Sequence, residues 1–231
     1  PVPDRMLVHN EQIVHEYLQW AMCGPPRPKG KFQLYAVEGG TAAMCYIFKS
    51  MKTNRLLNAG DTIALGTPIF TPYLEMPHLE DYDLKIVNIQ STQENRWQFD
   101  DAELEKLLDP KIKAFFLVNP GNPSAVALSA KTIAKIGAII KKRPDLILLT
   151  DDVYGTFVPG FRSLLGAYPY NTIGVYSYSK YFGCTGWRLG VIAVHEDNLF
   201  DKLIAQHPEP TLKKLDKRYS ALTLEPRKLR F

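Results

Sequence analysis

Short apolar runs alternate with amphipathic stretches along most of this chain, and the two periods decide its architecture. Seven runs read as strands, at residues 34–37, 62–65, 85–89, 114–118, 146–150, 172–176 and 190–194. Some, such as Ala114-Phe115-Phe116-Leu117-Val118, are apolar at every position, the pattern of a strand buried on both faces. Between them, residues 42–52, 101–108, 131–142 and 196–205 carry helical spacing. Ahead of the first strand, residues 11–22 predict a helix capped by Asn10 and stopped by Gly24-Pro25-Pro26. Strands alternating with helices predict the α/β class, a mainly parallel sheet flanked by helices. In open sheets of this kind ligands bind beyond the carboxyl ends of the strands, so the residues that follow each strand are the places to look for chemistry.

Composition narrows the function classes without selecting one. The 231 residues are 45% hydrophobic, with 28 basic and 24 acidic residues for a net charge of +4. The basic residues near the end (Lys213, Lys214, Lys217, Arg218, Arg227, Lys228 and Arg230) read as a solvated face, because no aromatic residues interleave them for base stacking. Neither a nucleic-acid nor a membrane partner is expected, and no apolar run approaches the roughly 20 residues that span a bilayer. Cys23, Cys45 and Cys184 lack metal-ligand spacing and read as reduced thiols of a cytoplasmic protein. No metal is expected. His9, His15, His78, His195 and His207 read as surface or structural residues.

Three segments after predicted strands can carry chemistry. Glu38-Gly39-Gly40-Thr41 leads from a strand into a helix, where close backbone approach and free N–H groups suit an anion, although a plain strand-to-helix turn would look the same. Asp151-Asp152-Val153-Tyr154 places carboxylates at the end of an apolar strand, where a buried charge needs a partner. Capping of the following turn is the simpler role for Asp151. The third segment runs from Ser177 through Lys180 to Gly190. A lysine shielded by aromatic and small residues is more readily neutral, and a neutral amine can condense with an aldehyde. Arg188, between Gly186 and Gly190, has the fork geometry for a phosphate, and Ser177 offers a hydroxyl.

Ser177, Lys180, Gly186, Arg188 and Gly190 resemble the lysine signature of the fold-type I pyridoxal 5′-phosphate (PLP) enzymes, aminotransferase class I/II, with Cys184 where an aliphatic residue is usual. The resemblance covers about residues 30–195 and implies the large domain of the PLP-dependent transferase fold. It implies that Lys180 carries the coenzyme, that Gly39, Gly40, Thr41, Ser177 and Arg188 hold its phosphate, and that Phe70 stacks on its ring. It further implies that Asn122 and Tyr154 bond the phenolic oxygen and that Asp151 pairs with the ring nitrogen. The family's Asn-Pro-Thr-Gly reads Asn122-Pro123-Ser124-Ala125 here. Catalytic roles fall on Lys180 and Asp151.

Within that family, residues 6–11, 23–30, 38–41 and 119–123 are most similar to the branch that removes the β-carboxylate of L-aspartate, giving L-alanine and carbon dioxide, with aspartate transamination as a side activity. The alternative is a class I/II aminotransferase for an acidic or aromatic amino acid. A regulator built on an aminotransferase-like domain would need a basic winged-helix module that this sequence lacks. The resemblance divides the chain into an N-terminal helix and linker at 1–30, a coenzyme-binding domain at 31–208, and at 209–231 the start of a connection to a small domain bearing the arginine for the α-carboxylate. It also implies a homo-oligomer built from dimers.

Overall fold

The computed structural model describes residues 7–79, 81–218, 220 and 231. Its centre is one sheet of seven strands: β1 (Phe32–Val37), β2 (Thr62–Thr67), β3 (Lys85–Gln90), β4 (Ile112–Val118), β5 (Ile147–Asp151), β6 (Thr172–Ser177) and β7 (Gly190–His195). Every predicted strand is present, with ends within two residues of those read from the sequence. The order across the sheet is β1-β7-β6-β5-β4-β2-β3. Strands β2 to β6 run parallel, and β7 is antiparallel to both β6 and β1. The carboxyl ends of β1, β2, β4, β5 and β6 therefore meet on one edge of the sheet, together with the start of β7.

Among the described residues, eight α-helices flank the sheet: α1 (Val8–Leu18), α2 (Gly40–Thr53), α3 (Pro72–Glu75), α4 (Asp101–Glu105), α5 (Ala130–Lys142), α6 (Leu164–Ala167), α7 (Leu199–Ala205) and α8 (Glu209–Asp216). Because alternate residues of a strand face opposite sides, the sheet feeds two cores. Ala114, Phe116, Ile147, Leu149, Ile173 and Val175 pack with α2, whereas Phe115, Leu117, Leu146 and Leu148 pack with α5 and Leu164 of α6. The α5 helix is capped by Ser129, whose Oγ accepts the Thr132 N–H at 3.1 Å.

Two expectations change. Asn10 is not the cap of α1: the helix already begins at Val8, since Glu11 N–H donates to Leu7 O at 2.9 Å, so Asn10 lies inside the first turn. The predicted helix over 11–22 also changes period, and Gln19–Cys23 form a π-helical turn that buries Ala21, Met22 and Cys23. In α8, Lys213 and Lys214 are exposed while Leu215 is buried, and Lys217, just past its end, is exposed too. Arg218 instead donates to Asn54 Oδ1 at 2.6 Å. Arg227, Lys228 and Arg230 lie outside the described residues.

Candidate active site

The pleat that builds the two cores also aims three residues into one cleft. Val118 ends β4, Asp151 pairs with it across the ladder at the end of β5, and Ser177 lies two residues beyond Val175, the residue opposite Asp151 on β6. All three share the face covered by α2. An added Cβ at Gly40 would stand 3.5 Å from Asp151 Oδ2 and 3.8 Å from Ser177 Cβ, so the first turn of α2 closes directly over them. The resulting cleft of about 190 Å³ is lined by nine of the ten predicted site residues: Gly40, Thr41, Phe70, Asn122, Asp151, Tyr154, Ser177, Lys180 and Arg188. Two larger hollows, about 420 and 330 Å³, lie beside Phe161; their walls are mostly apolar, with Arg27 in one and Arg162 in the other, and they gather no comparable set.

Gly39, the tenth, forms the wall behind Arg188. Its φ of 94° is one that side chains avoid, and a Cβ there would collide with the Arg188 guanidinium. Gly190 meets it from the other side, where an added Cβ would come within 2.8 Å of Gly39 Cα. Gly190 is thus required by close backbone approach, and Gly39 by its positive φ. Arg188 Nη2 donates to Glu38 O at 3.0 Å and Nη1 to Thr185 O at 2.7 Å, tying the lysine segment to the turn that starts α2. Ser177 is buried, and its Oγ accepts the Ser179 N–H at 3.3 Å. Free N–H groups at the start of a 14-residue helix, a guanidinium and two hydroxyl-bearing residues therefore lie together at one end of the cleft.

Asp151 forms the floor. It is 4% exposed, and burial raises its pKa above the ordinary carboxylate value, opposed by two hydrogen bonds. Tyr73 Oη donates to Oδ2 at 2.6 Å and Val153 N–H donates to Oδ1 at 3.1 Å. Among the described residues no cation pairs with it. A buried carboxylate so placed is suited to a cationic group entering the cleft. Asn122 Nδ2 donates to Tyr154 Oη at 3.3 Å, placing an amide and a phenol side by side on another wall. Phe70 meets Tyr73 edge to face, with centroids 5.3 Å apart.

Lys180 lines the cleft, but its expected shielding is absent. The residue is exposed, and its aromatic neighbours Tyr181 and Phe182 are each 51% exposed. Those rings pack on one another, on Phe157 and on Tyr17 rather than over the amine. Asp152 proves to be separate from the cleft, on the opposite face of β5. Tyr73 is the functional candidate that the sequence reading missed. Its only local signal is its spacing from Phe70, three residues back, which puts two aromatic rings on one side of the short turn leading into α3.

Comparison with known proteins gives this cleft a context. Residues 36–215 match the family model for aminotransferase class I and II. The chain is 53% identical, over all of its length, to a bifunctional aspartate aminotransferase and L-aspartate beta-decarboxylase of Pseudomonas, and spans 44% of that protein. It is 32% identical to an aspartate aminotransferase of Pyrococcus abyssi over 62% of the chain and 37% of the relative. Among solved structures, an aromatic aminotransferase of Pyrococcus horikoshii superposes with a TM-score of 0.69 at 22% identity, covering 96% of this chain and 65% of that one. An alanine aminotransferase of Pyrococcus furiosus gives 0.70 at 22% identity, covering 94% and 60%. The chain thus spans less than half the length of the curated relatives it matches.

Proposed function

The chain belongs to the aminotransferase class I and II family, and from that premise we propose that it is the coenzyme-binding part of a PLP enzyme that converts L-aspartate to L-alanine and carbon dioxide, with aspartate transamination as a second outcome. The observation that carries the reading is the cleft itself. A buried carboxylate with no cation partner among the described residues, a lysine, an aromatic wall and a glycine-rich anion cradle converge there from five separate segments. Identity to the Pseudomonas relative supports aspartate as the substrate and β-decarboxylation as the outcome.

The residues fit the coenzyme. Gly39, Gly40, Thr41, Ser177 and Arg188 would hold its phosphate, Phe70 would cover its ring, Asn122 and Tyr154 would bond its phenolic oxygen, and Asp151 would meet its ring nitrogen. When bound, PLP supplies an electron-accepting ring that makes loss of the α-proton, and then of the β-carboxylate, attainable. Lys180 Nζ would be the attachment point for the coenzyme and, as a free amine, the base that takes the α-proton and later returns a proton. Asp151 would keep the ring nitrogen protonated, and Tyr73 Oη, which donates to Asp151 Oδ2, would hold that carboxylate in place for the task. Asn122 and Tyr154, already joined by a hydrogen bond, would act together on the phenolic oxygen.

The enzyme is read as a cytoplasmic homo-oligomer built from dimers. Free Cys23, Cys45 and Cys184 agree with a reducing compartment, and among the described residues no helix is long and apolar enough to cross a membrane. Residues 31–208 would form the coenzyme domain, with residues 209–231 leading towards a further lobe that supplies the arginine for the α-carboxylate. The test is to incubate the intact protein with PLP and L-aspartate and follow both products. Alanine and carbon dioxide in equal amounts are expected. Oxaloacetate alone, formed only in proportion to an added 2-oxo acid, would reject decarboxylation and leave an ordinary aminotransferase.

A further inference from the structure

The end of β5 uses both faces of the sheet. Asp151 points into the cleft, while Thr150 and Asp152 point the other way, towards α6. Asp152 is 1% exposed. Its Oδ1 accepts from Thr150 Oγ1 at 2.7 Å, and its Oδ2 accepts from the Ser163 hydroxyl. Ser163 is itself fully buried; its Oγ accepts the Leu165 N–H at 2.9 Å, capping α6, and its own N–H donates to Met22 O at 2.7 Å in the π-helical turn. Asp152 also uses its backbone, donating to Val175 O at 2.9 Å and accepting from the Gly155 N–H at 2.8 Å. Asp152 is therefore tied directly to β5, β6 and the cap of α6, and through Ser163 to the turn after α1.

Burying a second carboxylate beside Asp151 is costly unless something is gained. The gain is visible in what lies between the two anchors. Asp151 Oδ1 takes its backbone hydrogen bond from Val153, and the next residue is Tyr154, whose hydroxyl meets Asn122 at the outer limit of a hydrogen bond, 3.3 Å. A shift of the turn would lengthen that contact and move the Val153 N–H from which Asp151 accepts. We propose that Asp152 is a positioning residue: through Ser163 and Thr150 it clamps the turn from behind, and so sets the direction in which Asp151 and Tyr154 enter the coenzyme cleft. The role rests on the functional reading above, but the clamp itself is a property of the chain without coenzyme.

The experiment uses the intact protein with Asp152→Ala, Ser163→Ala and the double variant, and with Ser163→Thr as the conservative replacement. In the coenzyme-free protein, the clamp predicts faster amide exchange at Val153 and Gly155 in both alanine variants, with Ser163→Thr close to wild type. In the loaded protein, both alanine variants should move the pH midpoint of the coenzyme's visible absorbance in the same direction. They should lower kcat by about tenfold, leave KM within about twofold, and show no further loss when combined. Variants that only lower the melting temperature, with exchange, midpoint and kcat unchanged, would overturn the clamp; so would additive losses. If Asp152→Ala fails to fold, the contrast between Ser163→Ala and Ser163→Thr decides alone. A wild-type protein with no coenzyme band would refute the functional reading instead, and amide exchange would still judge the clamp.

Discussion

Replacing Tyr73 by Phe removes one oxygen atom and, with it, the shorter of the two hydrogen bonds that reach Asp151. The ring should stay in place, since Tyr73 is 1% exposed and packs 4.8 Å from Phe116 and 5.3 Å from Phe70 between centroids. A hydrogen bond to a charged group contributes about 1.5–3 kcal/mol, and here the alternative partner is not water, because the carboxylate is buried. Loss of that bond leaves Val153 N–H as the remaining donor and lets burial raise the Asp151 pKa further. With the proposed role, Asp151 would then hold a proton on the ring nitrogen less firmly, and the same energy would appear as a loss of about tenfold to a hundredfold in kcat. The assay is steady-state turnover of aspartate by the intact enzyme, paired with the pH titration of the coenzyme's absorbance. Both should move, with the loss in kcat exceeding any change in KM. A variant with wild-type kcat and an unmoved titration would show that Tyr73 packs beside Asp151 without supporting it.

Three other changes follow from the same geometry. Asp151→Ala should still bind PLP but lose nearly all turnover, with Asp152→Ala milder; equal losses, measured by kcat, would contradict the assignment of the two faces of β5. Gly39→Ala should lower coenzyme affinity by about tenfold or more in a fluorescence titration, because φ of 94° is strained for alanine and its Cβ meets Arg188; an unchanged affinity would refute the cradle. Burial pushes Asp152 up to about 7, from 3.8, so the folded protein binds its proton first and stability is lost as pH rises through that window. Relative to Asp152→Asn, the coenzyme-free wild type should therefore gain stability on acidification from pH 8 to pH 5, by at most about 1.4 kcal/mol per pH unit within the window, as read by urea denaturation. A difference that stays flat would contradict the raised value.

What could be read in advance follows from how local each signal is. The inner strands were legible because Ala114-Phe115-Phe116-Leu117-Val118 and its counterparts in β2, β5, β6 and β7 are largely buried on both faces, which calls for short, continuous apolar runs, whereas β1 and β3 carry exposed positions. The glycines were legible because the backbone leaves no substitute: Gly190 closely approaches Gly39, and Gly39 has a positive φ. The start of α1 was not, since a single Asn is a weak cap signal and the helix begins at Val8 without any side-chain cap. The helix Glu209–Asp216 was read only as a basic face, because it buries a single residue, Leu215. Tyr73 and Ser163 escaped notice for another reason. Their partners, Asp151 and Asp152, are fixed by the pleat of β5 and by contacts 78 and 11 residues apart in sequence. The shielding expected for Lys180 failed in the same way, because aromatic neighbours in sequence turned their rings to one another instead of to the amine.

The central claim is that Lys180 is the residue that carries the coenzyme, and it can be tested without any substrate. The intact protein is loaded with PLP, reduced with borohydride, digested and mapped by mass spectrometry. A single pyridoxyl-modified peptide is expected, the one containing Ser177, Ser179 and Lys180, with loss of the visible band on reduction. A stable label on any other lysine, or none on Lys180 in a protein that binds PLP, would contradict it.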